Sequence, residues 1–253
     1  MKYAFFILLL IAAVILTCGC TQQSAVSPTE PTPTPTAAGQ PADAALARLS
    51  DSSPNLALSL DAGVLLLSFH TDGAQKMDIG FTDASNVYGA GYDFSTTGPF
   101  NGSLVLPVPQ KEDYLLNVSG TGAWTASVSR FEPDAVLRAP LNLSGDGTEV
   151  PPAFYLEEGQ YIFERNETGV SSPLYELLYA NGSYVMDANN TYVEPRFPEF
   201  SPETFRIVTI PQSGEYILSV LARDNPSNWT VSILPAPTLP PLGPGPEIPE
   251  KGE

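Results

Sequence analysis

Val105 to Tyr114 reads VLPVPQKEDY, and Ile207 to Tyr216 reads IVTIPQSGEY. Both carry Pro-Gln at the same place and a tyrosine five residues after that proline. Each tyrosine opens a run of alternating apolar residues, Tyr114-Leu-Leu-Asn-Val and Tyr216-Ile-Leu-Ser-Val. Each run then leads to a lone tryptophan, in Trp124-Thr-Ala-Ser-Val and Trp229-Thr-Val-Ser-Ile, and the chain has no other tryptophan. Upstream, Leu60-Asp-Ala-Gly63 answers Leu156-Glu-Glu-Gly159, and Leu49-Ser-Asp answers Leu143-Ser-Gly. Landmarks recurring in one order mark an internal duplication, placed here at 43–131 and 132–234.

Within each copy the hydrophobic period is two. Gly63 to His70, Phe100 to Val108, Asp113 to Ser119 and Ala123 to Arg130 read as strands; Gln160 to Arg165, Thr204 to Ile210, Glu215 to Ala222 and Asn228 to Leu234 are their counterparts. Short strands punctuated by Gly, Asn, Asp and Pro predict antiparallel sandwiches. The two Pro-Gln stretches read as turns of a hairpin. Trp124 and Trp229, at equivalent places opening the last strand, are expected in the cores. The one helical candidate is Ala42 to Leu49. The fold class expected is all-β: two tandem antiparallel β-sandwich, jelly-roll-like domains between disordered Pro-rich tails.

The order of landmarks resembles the pre-peptidase C-terminal domain, a β-sandwich appendage of secreted bacterial and archaeal enzymes. Its pattern runs Leu-x-x-Gly, Pro-Phe-x-Gly-Ser, Pro-x-x-Gly-x-Tyr-x-Leu-x-Val and Trp-Thr-Val-Ser-Ile. The first copy supplies Pro99-Phe-Asn-Gly-Ser103, and the second Pro211-Gln-Ser-Gly214-Glu-Tyr216. Glu112 stands where the first copy would carry the glycine, and Pro198-Glu-Phe-Ser-Pro202 replaces the Gly-Ser turn of the second. The resemblance spans 43–234, and its motifs are turns and core aromatics, so what it implies is a non-catalytic module.

The address lies at the N-terminus. Lys2 precedes the apolar run Ala4 to Leu16, shorter than the ~20 residues a spanning helix needs and of the length of a secretory h-region. Leu16-Thr-Cys18-Gly-Cys20 follows. A small residue before a cysteine at this place resembles the lipobox of bacterial and archaeal lipoproteins, although Thr17 stands where a leucine is usual. The resemblance implies a prokaryotic, archaeal-type surface lipoprotein: signal peptide 1–19, lipidation at Cys20 and anchorage at the outer face of the cell membrane. Cys18, or an uncleaved anchor, is the alternative. Residues 20–42 are a Thr/Pro-rich tether, in which Gln22 to Pro41 at about 3.1 Å per residue in polyproline II reaches roughly 60 Å. Residues 235–253 form a second Pro-rich tail, which is expected to hold neither strand nor helix. Cleavage before Cys20 leaves no pair of thiols for a disulfide. The stretch Arg130 to Leu141 reads as a short, partly packed junction.

Of 253 residues, 11 are Lys or Arg and 28 are Asp or Glu, for a net charge of -17. That surface repels phosphate backbones, so no nucleic-acid partner is expected. His70 is the only histidine, and no Gly-x-Ser-x-Gly elbow occurs, so nothing supplies a nucleophile with its base. No carboxylate pair stands out, Glu157-Glu158 beside a turn glycine included. The expectation is a non-enzyme with no catalytic or metal residues and no cofactor. A structural calcium ion at the Asp72-Gly73 or Gly145-Asp-Gly147 turns is an open reading, with no EF-hand or nonapeptide spacing behind it.

Two surface signals remain. Asn-x-Ser/Thr occurs at Asn101, Asn117, Asn142, Asn166, Asn181, Asn189 and Asn228, seven of eleven asparagines, with Asn225 barred by Pro226. The pattern suits an N-glycosylated exterior. Tyr88, Tyr92, Tyr184 and Tyr192, mid-copy, are candidate ligand contacts. Together these features point to a lipid-anchored extracytoplasmic protein with a non-catalytic binding or structural role. Its partner would be a surface-layer or envelope protein or a glycan; the alternative is a carbohydrate- or solute-binding lipoprotein.

Overall fold

The computed structural model describes residues 45–85, 89–133, 135–168, 173–195, 197 and 204–237. The signal segment, the tether with Cys18 and Cys20, Tyr88 and the tail beyond Pro237 lie outside the described residues. The first half contributes β1 (Ala45–Ser50), β2 (Asn55–Leu60), β3 (Gly63–Thr71), β4 (Gln75–Asp83), β5 (Gly89–Thr96), β6 (Phe100–Val108), β7 (Glu112–Gly120) and β8 (Trp124–Arg130). The second contributes β9 (Leu137–Arg138), β10 (Leu141–Asp146), β11 (Phe154–Leu156), β12 (Gly159–Thr168), β13 (Leu174–Tyr179), β14 (Phe205–Ile210), β15 (Gly214–Leu221), β16 (Asp224–Asn225) and β17 (Asn228–Pro235). The chain is all-β, and its strands pair antiparallel except at two short parallel contacts.

Four sheets result, in the orders β1-β8-β3-β6, β2-β7-β4-β5-β16, β10-β17-β12-β14 and β9-β11-β15-β13. Strand for strand, β1-β8-β3-β6 corresponds to β10-β17-β12-β14, and β2-β7-β4 to β11-β15-β13. Each pair of sheets encloses its own core. Leu65, Leu67, Phe81, Phe94, Leu104, Leu116 and Trp124 lie in the first, and Phe154, Phe163, Leu177, Tyr216, Leu218 and Trp229 in the second. Both tryptophans are core residues, and Trp229 also donates its indole N–H to the Gly147 carbonyl at 2.8 Å.

The repeated Pro-Gln segments are not hairpin turns. β6 and β7 belong to different sheets, as do β14 and β15, so each segment arches over the end of a sandwich. The repeated tyrosine explains the arch. Tyr114 donates its hydroxyl to the Gln110 carbonyl at 2.9 Å, and Tyr216 donates to the Gln212 carbonyl in the same way. Each ring sits in its core while its hydroxyl holds the corner, the arrangement of a tyrosine corner. Tyr114→Phe and Tyr216→Phe are each expected to lower stability by about 1 kcal/mol, the net worth of one such bond. Urea denaturation of the single variants measures it; an unchanged midpoint would show that the ring alone holds the arch.

Two further expectations are corrected. Ala45 to Leu49, expected within a helix, is strand β1: pairing with β8 and insertion of Leu49 into the core outweigh the helix propensity of Ala45 and Ala47. The tail was expected to begin without strand at Pro235, yet Pro235 ends β17 opposite Tyr161, and Ala236 donates its N–H to Gln160. Its missing N–H costs no ladder bond, because β10 stops at Leu141, opposite Ile233.

Candidate functional site

The outer faces of the two inner sheets meet. Val64 and Val105, pointing away from the first core, bury themselves against Leu178 and Ile217, which point away from the second, with Phe131, Val150 and Tyr184 packed around them. Beside this seam, β16 runs parallel to β5 and adds a fifth strand to a sheet of the first sandwich. Ser95 donates its N–H to Arg223 at 2.7 Å, and Thr97 to Asn225 at 2.9 Å. Asn225 is fully buried there. Its side chain accepts the Thr148 N–H at 2.7 Å and donates to the Ser95 and Ala222 carbonyls at 3.2 and 3.0 Å. The junction is thus more than the stretch 130–141: the ends of β15 and the loop between β10 and β11 carry it too.

On the outward face of the β1-β8-β3-β6 sheet, the seam is built on Val64 and Val105. Other residues of that face floor a groove of about 1220 Å³. Strand register arranges that floor in rows: Ser50, Thr125, His70 and Asn101 across one, and Arg48, Ser127, Ser68 and Ser103 across the next. All eight line the groove, as do Ser129 and Leu66 in a third row. Phe131 to Pro133 and the β10–β11 loop with Asp146, Glu149 and Val150 form the wall. That loop is pinned to the floor strand β6, because Ser103 donates its N–H to Thr148 and its Oγ accepts the Val150 N–H, both at 3.0 Å. His70 lies between Asn101 Oδ1 at 2.9 Å and Asp72 Oδ1 at 3.1 Å. Burial against the wall raises the Glu149 carboxyl above its ordinary range. Among the described residues, the hydroxyls of Ser68, Thr125 and Ser127 make no hydrogen bond within the protein. The rows escape a reading of the sequence: each strand shows only ordinary polar residues at alternate positions, and register alone sets them side by side.

The tyrosines picked out by sequence fall elsewhere. Tyr92 reaches from the first core to the seam, where its hydroxyl donates to the Val105 carbonyl at 3.4 Å. Tyr184 packs against the seam and meets Tyr192 edge-on, with ring centroids 5.0 Å apart. Tyr192 alone is largely exposed, at 53%. Near Tyr92 stands Glu176, whose carboxyl is pushed up to about 7 by burial and then by the neighbouring Glu194 charge. Burial, Glu176 and Tyr184 in turn raise Tyr92. A carboxyl held above its unfolded value binds an extra proton in the fold. Its contribution is therefore complete below the ordinary carboxylate range and is lost as pH rises toward 7. Glu176→Gln is expected to stabilise the protein at pH 8 by a few kcal/mol and to change little at pH 4.5, each tenfold change in proton affinity being worth about 1.4 kcal/mol. Denaturation of both forms across that range checks it; a difference independent of pH would refute it.

All seven sequon asparagines are exposed, whereas Asn225 is buried. Asn142, Asn166 and Asn228 share the outer face of the β10-β17-β12-β14 sheet, Asn117 sits on β7 and Asn101 in the groove. Asp72 and Asp146 stand at exposed turns, and among the described residues no three His, Cys, Asp or Glu side chains gather as a metal site. Glu157 and Glu158 face solvent.

No protein-family model and no curated protein matches the chain. Among solved structures, tripeptidyl peptidase 2 aligns at 11% identity and a TM-score of 0.26, over 74% of this chain and 22% of that one. The tandem CBM22-1–CBM22-2 domain of Paenibacillus barcinonensis Xyn10C aligns at 9% identity and 0.24, over 72% and 82%. The PBSX exported protein XepA aligns at 11% identity and 0.23, over 74% and 84%. The chain thus spans under a quarter of the peptidase, and likenesses this shallow bring no function to it. What stands is an all-β chain of two antiparallel sandwiches.

Proposed function

We propose that the protein is a lipid-anchored, N-glycosylated binding protein of the cell surface, which holds its partner in the groove between the sandwiches without turnover. One observation carries the reading: the sheet face that bears the unpartnered hydroxyls of Ser68, Thr125 and Ser127 is also the floor of a walled groove. An outward sheet face with no role would be expected to stay open to water, as on the glycosylatable β10-β17-β12-β14 sheet. Here a loop of the second sandwich is fastened along its β6 edge. Such concave, largely pre-formed sites with convergent polar groups are where ligands bind. The lipobox-like Cys20 and the Thr-Pro tether support the address, and the acidic surface keeps such a protein soluble beside a membrane.

Three measurements test it. Lipid labelling should mark the native chain and Cys18→Ser alike and fail on Cys20→Ser; label retained by Cys20→Ser would move or remove the anchor. A photo-reactive side chain at Thr125 should join the protein to one recurrent partner on intact cells. Capture at an equal level from Leu115, exposed on the far sheet, or no capture at all, would take the groove out of the function. The intact mass of the native protein should exceed that of an unglycosylated recombinant form, and equal masses would end the glycosylation reading.

A further inference from the structure

We infer that the groove takes a neutral glycan, an inference that rests on the groove being the binding site. Its floor supplies groups matched to sugar hydroxyls. Ser68, Thr125 and Ser127 each rotate to donate or accept, and Arg48, in the same row as Ser68 and Ser127, adds directed donors. Neighbouring strands set these groups about 4.8 Å apart, and alternate residues along a strand about 6.8 Å apart. An extended polyhydroxylated chain can therefore engage several at once, whereas a compact ligand reaches few. Leu66, beside the polar rows, and Phe131, in the wall, offer the apolar contact that the C–H face of a pyranose requires.

The competing ligand classes fit poorly. An apolar ligand would strip water from the floor hydroxyls without replacing their bonds, at about 1–3 kcal/mol each. An anionic ligand would meet Glu132, Asp146 and Glu149 against the lone guanidinium of Arg48. A neutral chain bearing many hydroxyls incurs neither cost.

Such a glycan has two sources. One is external, on a neighbouring glycoprotein or wall polymer. The other is the protein itself, because Asn101 of the sequon Asn101-Gly-Ser103 stands at the end of the first row. Its Oδ1 faces His70, and its Nδ2 makes no hydrogen bond among the described residues.

The test begins with the full chain produced without glycosylation, titrated with neutral gluco-, galacto- and manno-oligosaccharides and with uronate-containing ones, and followed by amide NMR. With an external source, neutral chains shift residues of β1, β3 and β8 and saturate. Ser127→Trp, which fills the groove, and Thr125→Lys, which leaves it open, each weaken binding about tenfold, the size of one or two net hydrogen bonds. Preference for the uronates, or shifts away from these strands, overturns the inference. If no oligosaccharide binds, the glycosylated native protein is compared with its Asn101→Gln form by hydrogen exchange and by labelling of the groove. Newly exposed β3 and β8 faces in Asn101→Gln make the protein's own glycan the occupant, and unchanged faces overturn the inference. Photo-capture from Thr125 separates the two readings. Capture that survives chemical deglycosylation of the cells refutes the glycan alone, while absence of capture in a form lacking the Asn101 glycan refutes the groove as a site for an external partner.

Discussion

Replacing Asn225 by leucine is expected to split one unfolding transition into two. The two cores are separate, and they share the small apolar seam and the β5–β16 contact. Asn225 is the hydrogen-bonded centre of that contact, with three side-chain bonds that reach Thr148, Ser95 and Ala222. Its backbone carbonyl accepts the Thr97 N–H and the Thr97 hydroxyl, at 2.9 and 3.2 Å. Leucine fills a similar volume but strands the Thr148 N–H and the Ser95 carbonyl in a dry place. At about 1–3 kcal/mol for each orphaned group, the loss should reach roughly 3–5 kcal/mol. Most of it falls on the coupling between sandwiches rather than on either core. Gly147 makes the site harder to repair, because a Cβ at its φ of 92° would strike Asn225 and the Phe100 ring. Urea denaturation followed by tryptophan fluorescence, which reports one core from Trp124 and the other from Trp229, and by circular dichroism reads the outcome. A single coincident transition displaced by less than about 1 kcal/mol would mean that the seam, not the asparagine, couples the halves.

The second large effect lies where the two copies have diverged. By register, Arg165 occupies in the second sandwich the place of Phe69 in the first, and Glu167 the place of Thr71. Arg165 is 7% exposed; it bonds Glu167 at 3.0 Å and lies over the Phe197 ring at 4.6 Å. Tyr175, edge-on to both Phe197 and Trp229, donates its hydroxyl to the same carboxylate. Arg165→Phe should cost about 3–5 kcal/mol, because it removes the guanidinium 3.0 Å from a largely buried carboxylate. Arg165→Phe with Glu167→Thr, the residue pair of the first sandwich, should recover most of that loss, since apolar replacements for buried ion pairs are often neutral or better. Denaturation of the four forms gives the coupling directly. A double variant as unstable as the sum of the singles would show that the pair is held by more than its own charges.

Much of the fold could be read because duplication writes it twice. A tyrosine five residues after a proline is a weak signal alone, yet found in both copies it marks a corner that each sandwich needs. Tryptophans opening the last strands carry the same double signature. The misreadings fall where one residue's preference is overruled by neighbours distant in sequence. Ala45 to Leu49 is helical by composition and becomes an edge strand because β8 and a leucine-shaped space in the core require it. The Gly- and Ala-rich face of β5 hides a strand, and β16 has two residues, too few to show a period. The groove was illegible for a related reason. His70, Ser68, Thr125 and Ser127 look in sequence like any solvated alternation, while Tyr92 packs against the first core and Tyr184 against the seam.

The parallel pairing of β16 with β5 also sets a timetable. A ribosome delivers Ser95 130 residues before the Asn225 that will bond it. Throughout that interval β5 is the outermost strand of its sheet, with a row of open peptide groups, which is the arrangement that recruits stray strands into aggregates. Truncations ending before Asp224 should therefore be less soluble than the whole protein, even where every residue of the first core is present. In this protein the last tenth of the described chain finishes the first domain, so maturation is gated by its end.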